Sequence, residues 1–278
     1  MTADPLRDLK TGQTIGPYRF DGRPREINVG GLCQVVHTVS GQPRTLKPVH
    51  PLQAADPNLM DRIRDEAKAL ARLQHPHLAQ VYGVEESDGV HFVTIEMVTG
   101  RSLDVVQRDE GPLPTARALH LLTFVASALD ALHANAIVHH DVTPRDVVVD
   151  SNDRAKLLDF GCKRALAATA LYSTHPIVRP EYMAPELVRG EQSGPGIDQH
   201  AFGVVAYELI VGRLPFVGTG LELPRSHYQE TPPPPRTLRP DLPEAIEAVL
   251  LRQLAKQAAE RYPTCSAFTQ ALSAALAQ

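Results

Sequence analysis

Four charged residues stand where they could take part in phosphate and metal chemistry. Lys47 ends a short apolar, β-branched run, and Glu66 lies on a stretch with helical spacing. Asp141 follows two histidines in a loop, and Asp159 opens an Asp-Phe-Gly triplet. Carboxylate oxygens are ligands that hard divalent cations prefer. Phosphoryl transfer needs positioned phosphates, neutralised charge and an oriented nucleophile, and these side chains can supply all three.

The order of the motifs extends this pattern over nearly the whole chain. Asp159-Phe160-Gly161 precedes Ala184-Pro185-Glu186 at the separation that frames an activation segment. The chain therefore resembles a bacterial-type, eukaryotic-like Ser/Thr protein kinase catalytic domain. The resemblance implies that Lys47 binds the α- and β-phosphates of ATP and that Glu66 forms a salt bridge with Lys47. It also implies that Asp141 orients the substrate hydroxyl and accepts its proton.

The metal ligands and the structural anchors also follow from this resemblance. Asp159 corresponds to the main magnesium ligand, and Asp146 stands at the position of the second metal ligand. We therefore expect ATP and Mg²⁺, or Mn²⁺ in its place, as cofactors. Glu186 and Arg261 correspond to a buried ion pair that anchors the activation segment, and Asp198 corresponds to the aspartate that braces the catalytic loop.

The remaining expected contacts are with the nucleotide. Val35 and Val148 would sandwich the adenine, Thr45 would lie near its edge, and the backbone of Glu96 and Met97 would meet it. The loop that covers the phosphates is expected at Ile27, Asn28, Val29, Gly30 and Gly31.

Several residues depart from the family pattern where ATP is bound. Asn28 and Cys33 replace the first and third glycines of the phosphate-covering loop. Thr143 replaces the lysine that neutralises the γ-phosphate, and removing one such group typically lowers a rate by about 10²–10³. Asp146 replaces an asparagine, and His140 replaces the arginine that receives an activation-loop phosphate in the family.

These residues are compatible with three functions. The first is a Ser/Thr protein kinase that transfers the γ-phosphate of ATP to protein hydroxyls with reduced turnover. The second is a pseudokinase, a nucleotide-binding or scaffolding module. The departures, including Arg179 where a threonine is usual, favour the second, whereas the retained Lys47, Glu66, Asp141 and Asp159 favour the first. A small-molecule phosphotransferase is disfavoured by the Ala-Pro-Glu motif.

The pattern of the chain predicts an α+β, two-lobed protein-kinase-like fold. Residues 1–14 would be an N-terminal extension. Residues 15–98 read mainly as strands, with a helix that begins at Asp56-Pro57 and stops at His75-Pro76. Residues 99–278 read as mostly helical. We therefore expect a small β-rich N-lobe with one helix and a larger C-lobe.

Composition limits the partners. No segment approaches the roughly 20 uninterrupted apolar residues that span a bilayer, and residues 1–10 lack the apolar core of a signal peptide. The net charge of −4 gives no reason to expect nucleic acid or an anionic membrane. The three cysteines suggest neither a disulfide framework nor a zinc site. We expect a cytoplasmic protein whose partner is a protein substrate or a regulatory protein.

Overall fold

The computed structural model describes residues 10–21, 32–158, 179–191, 194–219 and 222–277. These residues divide into two compact units, with the break between Thr99 and Gly100. The N-terminal unit holds the described residues up to Thr99 together with Leu158. The C-terminal unit holds the described residues of the remaining chain.

The N-terminal unit is built on an antiparallel sheet. Its strands are β1 (Thr14–Ile15), β2 (Tyr18–Phe20), β3 (Cys33–His37), β4 (Pro43–Pro48), β5 (Val81–Ser87) and β6 (Val90–Glu96), in the spatial order β1-β2-β3-β4-β6-β5. Asp88 and Gly89 both have positive φ, 54° and 74°. That conformation suits the two-residue turn between β5 and β6, because its twist matches that of the paired strands.

Two helices accompany this sheet. Helix α2 (Pro57–Arg72) begins where the sequence predicts, since the Asp56 side chain accepts hydrogen bonds from the backbone of Asn58 and Leu59 and Pro57 occupies the first turn. Its buried face includes Ile63 and Leu70. A one-turn helix, α1 (Pro51–Ala54), was not predicted. Its local cause is a capping box between His50 and Gln53, which four residues of sequence do not reveal.

The C-terminal unit is mostly helical. Its helices are α3 (Leu103–Glu110), α4 (Thr115–Ala134), α5 (Pro185–Val188), α6 (Gly196–Val211), α7 (Glu222–Gln229), α8 (Pro235–Leu238), α9 (Glu244–Gln253) and α10 (Cys265–Leu276). Helix α6 is buried around nearly its whole circumference, and α4 packs against α6 and α10. Within the described ranges, α4 is the one helix long and apolar enough to cross a membrane. Eight of its residues are buried inside the unit, as in the core helix of a globular domain.

A small sheet positions the catalytic loop in this unit. Strands β7 (Arg101–Ser102), β8 (Val147–Val149) and β9 (Ala155–Leu157) pair antiparallel in that order. Gly100 precedes β7 with φ 151°, and a Cβ at this position would lie 2.2 Å from the carbonyl oxygen of Val149. Only glycine therefore lets the chain enter the sheet here.

Candidate active site

The catalytic loop lies between α4 and β8, and one buried aspartate fixes its backbone through hydrogen bonds. The carboxylate of Asp198, on α6, accepts the backbone N–H groups of His139 at 2.7 Å and of His140 at 2.8 Å. His140 itself has φ 67°, a conformation that costs free energy for a residue with a side chain. These contacts fix the backbone just before Asp141, which is 7% exposed.

Asp198 keeps its negative charge although it is completely buried. Burial raises the pKa of this carboxyl. The hydrogen bond from His133 and the nearby imidazoles outweigh that effect, so the pKa lies below its ordinary value. The Nε2 atom of His133 is 2.7 Å from Asp198 Oδ2. The carboxylate form that holds the loop is therefore the stable one at neutral pH.

The two departures at the end of the loop are in direct contact. Thr143 Oγ1 donates a hydrogen bond of 2.6 Å to Asp146 Oδ2. Thr143 is 0% exposed and Asp146 is 8% exposed. A 3₁₀ turn at Pro144–Asp146, in which the Asp146 N–H donates to the Thr143 carbonyl at 3.0 Å, brings them together. The sequence singled out both residues but did not predict the bond.

Arg145 does not take the place of the lysine that Thr143 replaces. Its Nε lies 3.4 Å from Asp104 Oδ2, in the first turn of α3. The Arg145 guanidinium thus lies next to an acidic side chain of α3.

A pocket lies beside Asp141. Its walls include His140, Arg179, Met183, Leu187 and Ile197. The sequence did not identify the apolar members, although two of them flank the Ala184-Pro185-Glu186 motif and could have been found from it.

The anchor implied by the resemblance is present. Arg261 pairs with Glu186 through two hydrogen bonds of 2.8 Å, and both residues are 2% exposed. Arg261 also donates to the carbonyl of Gly196 at 2.7 Å and to that of Ala255 at 2.9 Å. This ion pair ties α5 to the start of α6 and to the segment before α10.

In the N-terminal unit, the predicted site residues lie on the sheet and on α2. Val35 is on β3, Thr45 and Lys47 are on β4, and Glu66 is on α2. Thr45 pairs with Ile95 across the sheet and is 7% exposed. The salt bridge between Lys47 and Glu66 stays a prediction.

The remaining expected nucleotide contacts are Glu96 and Met97 at the end of β6 and Val148 on β8. The Glu96 N–H donates to the Gln80 carbonyl at 2.8 Å, so a backbone contact from Glu96 to adenine has to use its carbonyl oxygen. Met97 directly follows β6. Val148 lies in the C-terminal unit, in the middle of β8, and is 3% exposed. The expected residues Ile27, Asn28, Val29, Gly30, Gly31 and Asp159 lie outside the described residues.

The described donors fit a hard divalent cation. Asp146 brings a buried carboxylate to the loop, and Asp141 brings a second one five residues earlier. Oxygen donors of this kind suit Mg²⁺ and Mn²⁺.

A second group of metal-ligand types also occurs among the described residues. Ligand atoms of Asp130, His133 and Cys265 lie within 4.8 Å of one another. Asp130, however, accepts the backbone N–H groups of Cys265 and Ser266, both at 2.9 Å. This carboxylate is accounted for as the cap of α10, and His133 is accounted for as the partner of Asp198.

Comparisons with known proteins agree with this site. The protein kinase domain family matches residues 27–271. The serine/threonine-protein kinase PknE of Mycobacterium bovis is 33% identical over 99% of this chain and 49% of its own length. PknA of Mycobacterium tuberculosis is 33% identical over 95% of this chain and 63% of its own length. The chain thus spans about half the length of relatives such as PknE.

Solved structures show the same fold. The kinase domain of Mycobacterium tuberculosis PknI superimposes with a TM-score of 0.78 at 31% identity, covering 96% of this chain and 99% of that domain. A double mutant of the same domain gives a TM-score of 0.79 at 30% identity.

The chain belongs to the protein kinase domain family, as a bacterial, eukaryotic-like Ser/Thr protein kinase domain. The α+β fold, with a small β-rich lobe and a larger, mostly helical lobe, is confirmed. Membership of this family implies the use of ATP and a divalent metal and the modification of proteins.

Proposed function

We propose that this chain transfers the γ-phosphate of ATP to serine or threonine hydroxyls of a protein, with Mg²⁺ as the metal and with reduced turnover. The main observation behind this proposal is that Asp198 fixes the backbone of the catalytic loop. Asp198 accepts hydrogen bonds from the two N–H groups that precede Asp141, and a small pocket lined by both polar and apolar side chains lies beside Asp141. Hydroxyl phosphorylation needs a positioned base, and this loop holds Asp141 in a fixed place.

Each of the site residues has a separate role in phosphoryl transfer. Asp141 orients the hydroxyl and takes its proton while the hydroxyl oxygen bonds to the γ-phosphorus and the bond to ADP breaks. Lys47 binds the α- and β-phosphates, and Glu66 aims Lys47. Asp146 and Asp159 are the residues that would hold Mg²⁺, which neutralises phosphate charge when bound. Val35, Thr45 and Val148 would surround the adenine.

Turnover is expected to be reduced because of Thr143. A hydroxyl stands where relatives place the lysine charge that stabilises the moving phosphoryl group, and Arg145 is paired with Asp104. A typical kinase rate of about 1–100 s⁻¹, lowered by about 10²–10³ for one missing group, leaves a rate that remains measurable.

The pseudokinase alternative receives no support from the relatives, which are named as serine/threonine-protein kinases. It stays an outcome of the experiment. We also propose a cytoplasmic location for this domain, on the grounds of its composition.

The experiment is transfer of labelled γ-phosphate to a generic basic protein by the wild type and by Asp141→Asn. The two proteins should bind ATP with similar affinity, and only the wild type should incorporate label. Equal incorporation by both would exclude Asp141 as the base.

A further inference from the structure

Thr143 and Asp146 depart from the family residue types together, and the structure joins them. The hydroxyl of Thr143 donates to the carboxylate of Asp146 at 2.6 Å, and both side chains are buried. A hydroxyl–oxygen contact of 2.6 Å lies within the range of well-formed hydrogen bonds. The Thr143 hydroxyl therefore restrains the Asp146 side chain through Oδ2.

The backbone makes this contact a fixed one. Thr143 is in an extended conformation immediately before the 3₁₀ turn, with φ −141° and ψ 162°. The turn returns the Asp146 N–H to the Thr143 carbonyl at 3.0 Å. Main chain and side chain thus link the same two residues, which restricts the orientation of the Asp146 carboxylate.

The pair also changes the charge of the loop. Lysine with asparagine, as in the family, carries a charge of +1, whereas threonine with aspartate carries −1. Arg145, the basic residue between them in the sequence, has its Nε 3.4 Å from Asp104 Oδ2. A phosphoryl transfer at this loop therefore needs positive charge from a source other than these side chains.

We propose that Thr143 is a positioning residue that acts through Asp146. The Thr143 hydroxyl holds the Asp146 carboxylate in the orientation that binds a divalent cation. This inference rests on the proposed function for its catalytic meaning, while its binding part can be measured without any phosphate transfer.

Loss of a group that orients a metal ligand typically weakens metal binding by about 10–100-fold. We therefore expect Thr143→Val, which keeps the shape and removes the hydroxyl, to weaken the metal site at Asp146 by at least about 10-fold. Thr143→Ser keeps the hydroxyl and should bind metal within about 3-fold of the wild type.

The test is a titration of the full chain with Mn²⁺ in the presence of a non-hydrolysable ATP analogue, with free Mn²⁺ measured by electron paramagnetic resonance. Wild type, Thr143→Val, Thr143→Ser, Asp146→Asn and the double variant Thr143→Val with Asp146→Asn are compared. Thermal unfolding of each protein shows whether it is folded.

In the expected result, the wild type binds two Mn²⁺ ions and Thr143→Val weakens the second, with rescue in Thr143→Ser. Thr143→Val should have little further effect once Asp146 is asparagine, because the hydroxyl acts through the carboxylate. The proposal is overturned if Thr143→Val and the wild type bind Mn²⁺ equally, or if the wild type shows no second site.

Activity separates this proposal from the proposed function. If Thr143→Val weakens the second site but the wild type transfers no phosphate, the positioning role stands and the kinase function fails. If the wild type transfers phosphate but the metal affinities are unchanged, the kinase function stands and the positioning role fails. When both hold, Thr143→Val raises the Mn²⁺ concentration for half-maximal rate more than it lowers kcat at saturating metal.

Discussion

The imidazole of His133, near the end of α4, lies 2.7 Å from the Asp198 carboxylate on α6, which in turn accepts the N–H groups of His139 and His140. This contact joins the two central helices of the C-terminal unit directly to the loop that carries Asp141. The position of the catalytic base thus depends on the ionised state of a completely buried side chain.

The first prediction concerns this brace. In Asp198→Asn, an amide NH₂ faces one of the loop N–H groups, and a buried donor without an acceptor costs about 1–3 kcal/mol. We expect kcat to fall at least about 10-fold while the KM for ATP changes little. Asp130→Asn is a matched control, because Asp130 also accepts two backbone N–H groups but caps α10 instead of the loop. Equal kcat values for the wild type and Asp198→Asn would contradict the role of the brace.

The second prediction concerns stability. Removing one partner of a buried ion pair typically costs about 3–5 kcal/mol, so Arg261→Met should lower the free energy of unfolding by that amount. Lys68→Met is the control, because its pair with Asp65 is exposed and pairs of that kind contribute about 0–1 kcal/mol. Urea unfolding of both variants is the measurement, and similar losses in the two would contradict the anchoring role of Arg261.

The third prediction concerns pH. The Nε2 of His227 lies 2.9 Å from the Glu181 carbonyl, and its Nδ1 lies 3.2 Å from His200 Nε2. Burial, with the charge of Lys256, lowers the pKa of His227 to about 4 from 6.5. Between these values the unfolded chain binds a proton that the folded chain does not, so stability falls as the pH drops from 6.5 towards 4.

At about 1.4 kcal/mol per pKa unit, this single group contributes a loss of about 3 kcal/mol over that range. His227→Gln keeps a donor for the Glu181 carbonyl and does not titrate. Its unfolding free energy should therefore fall less than that of the wild type between pH 7 and pH 4.5. Parallel pH profiles for the two proteins would show that His227 does not titrate as its burial indicates.

The fourth prediction concerns the catalytic loop. Thr143→Lys with Asp146→Asn restores the family pair, and it should raise the rate at least about 10-fold, a modest part of what one charged group supplies to a transition state. Because the two side chains are in contact, the single changes should not add up to the double change. A revertant no faster than the wild type would move the limitation elsewhere, most directly to the segment around Arg179.

Much of the fold could be predicted from short sequence motifs. Asp56-Pro57 predicts the start of α2, and the structure shows Asp56 capping that helix. The resemblance to protein kinases implies the ion pair of Glu186 with Arg261, and the structure shows it.

The sequence does not predict contacts that depend on the orientation of side chains. The bond from Thr143 to Asp146 depends on the extended backbone of one residue and the turn of the next three, and neither is visible in residue types. The pairing of Arg145 with Asp104 depends on the placement of α3 beside the loop. The pocket residue Ile197 belongs to a helix that is buried on nearly all sides, so its sequence does not indicate which side faces the site.

Incorporation of labelled phosphate by the wild type and by Asp141→Asn, at saturating ATP and Mg²⁺, tests the central claim most directly. The account predicts slow but measurable incorporation by the wild type and a loss of at least about 10²-fold in Asp141→Asn, since general-base groups contribute about 10²–10⁴-fold. ATP binding by both proteins, measured by calorimetry, provides the control. Wild-type protein that binds ATP and transfers no phosphate would contradict the kinase function and leave a nucleotide-binding module.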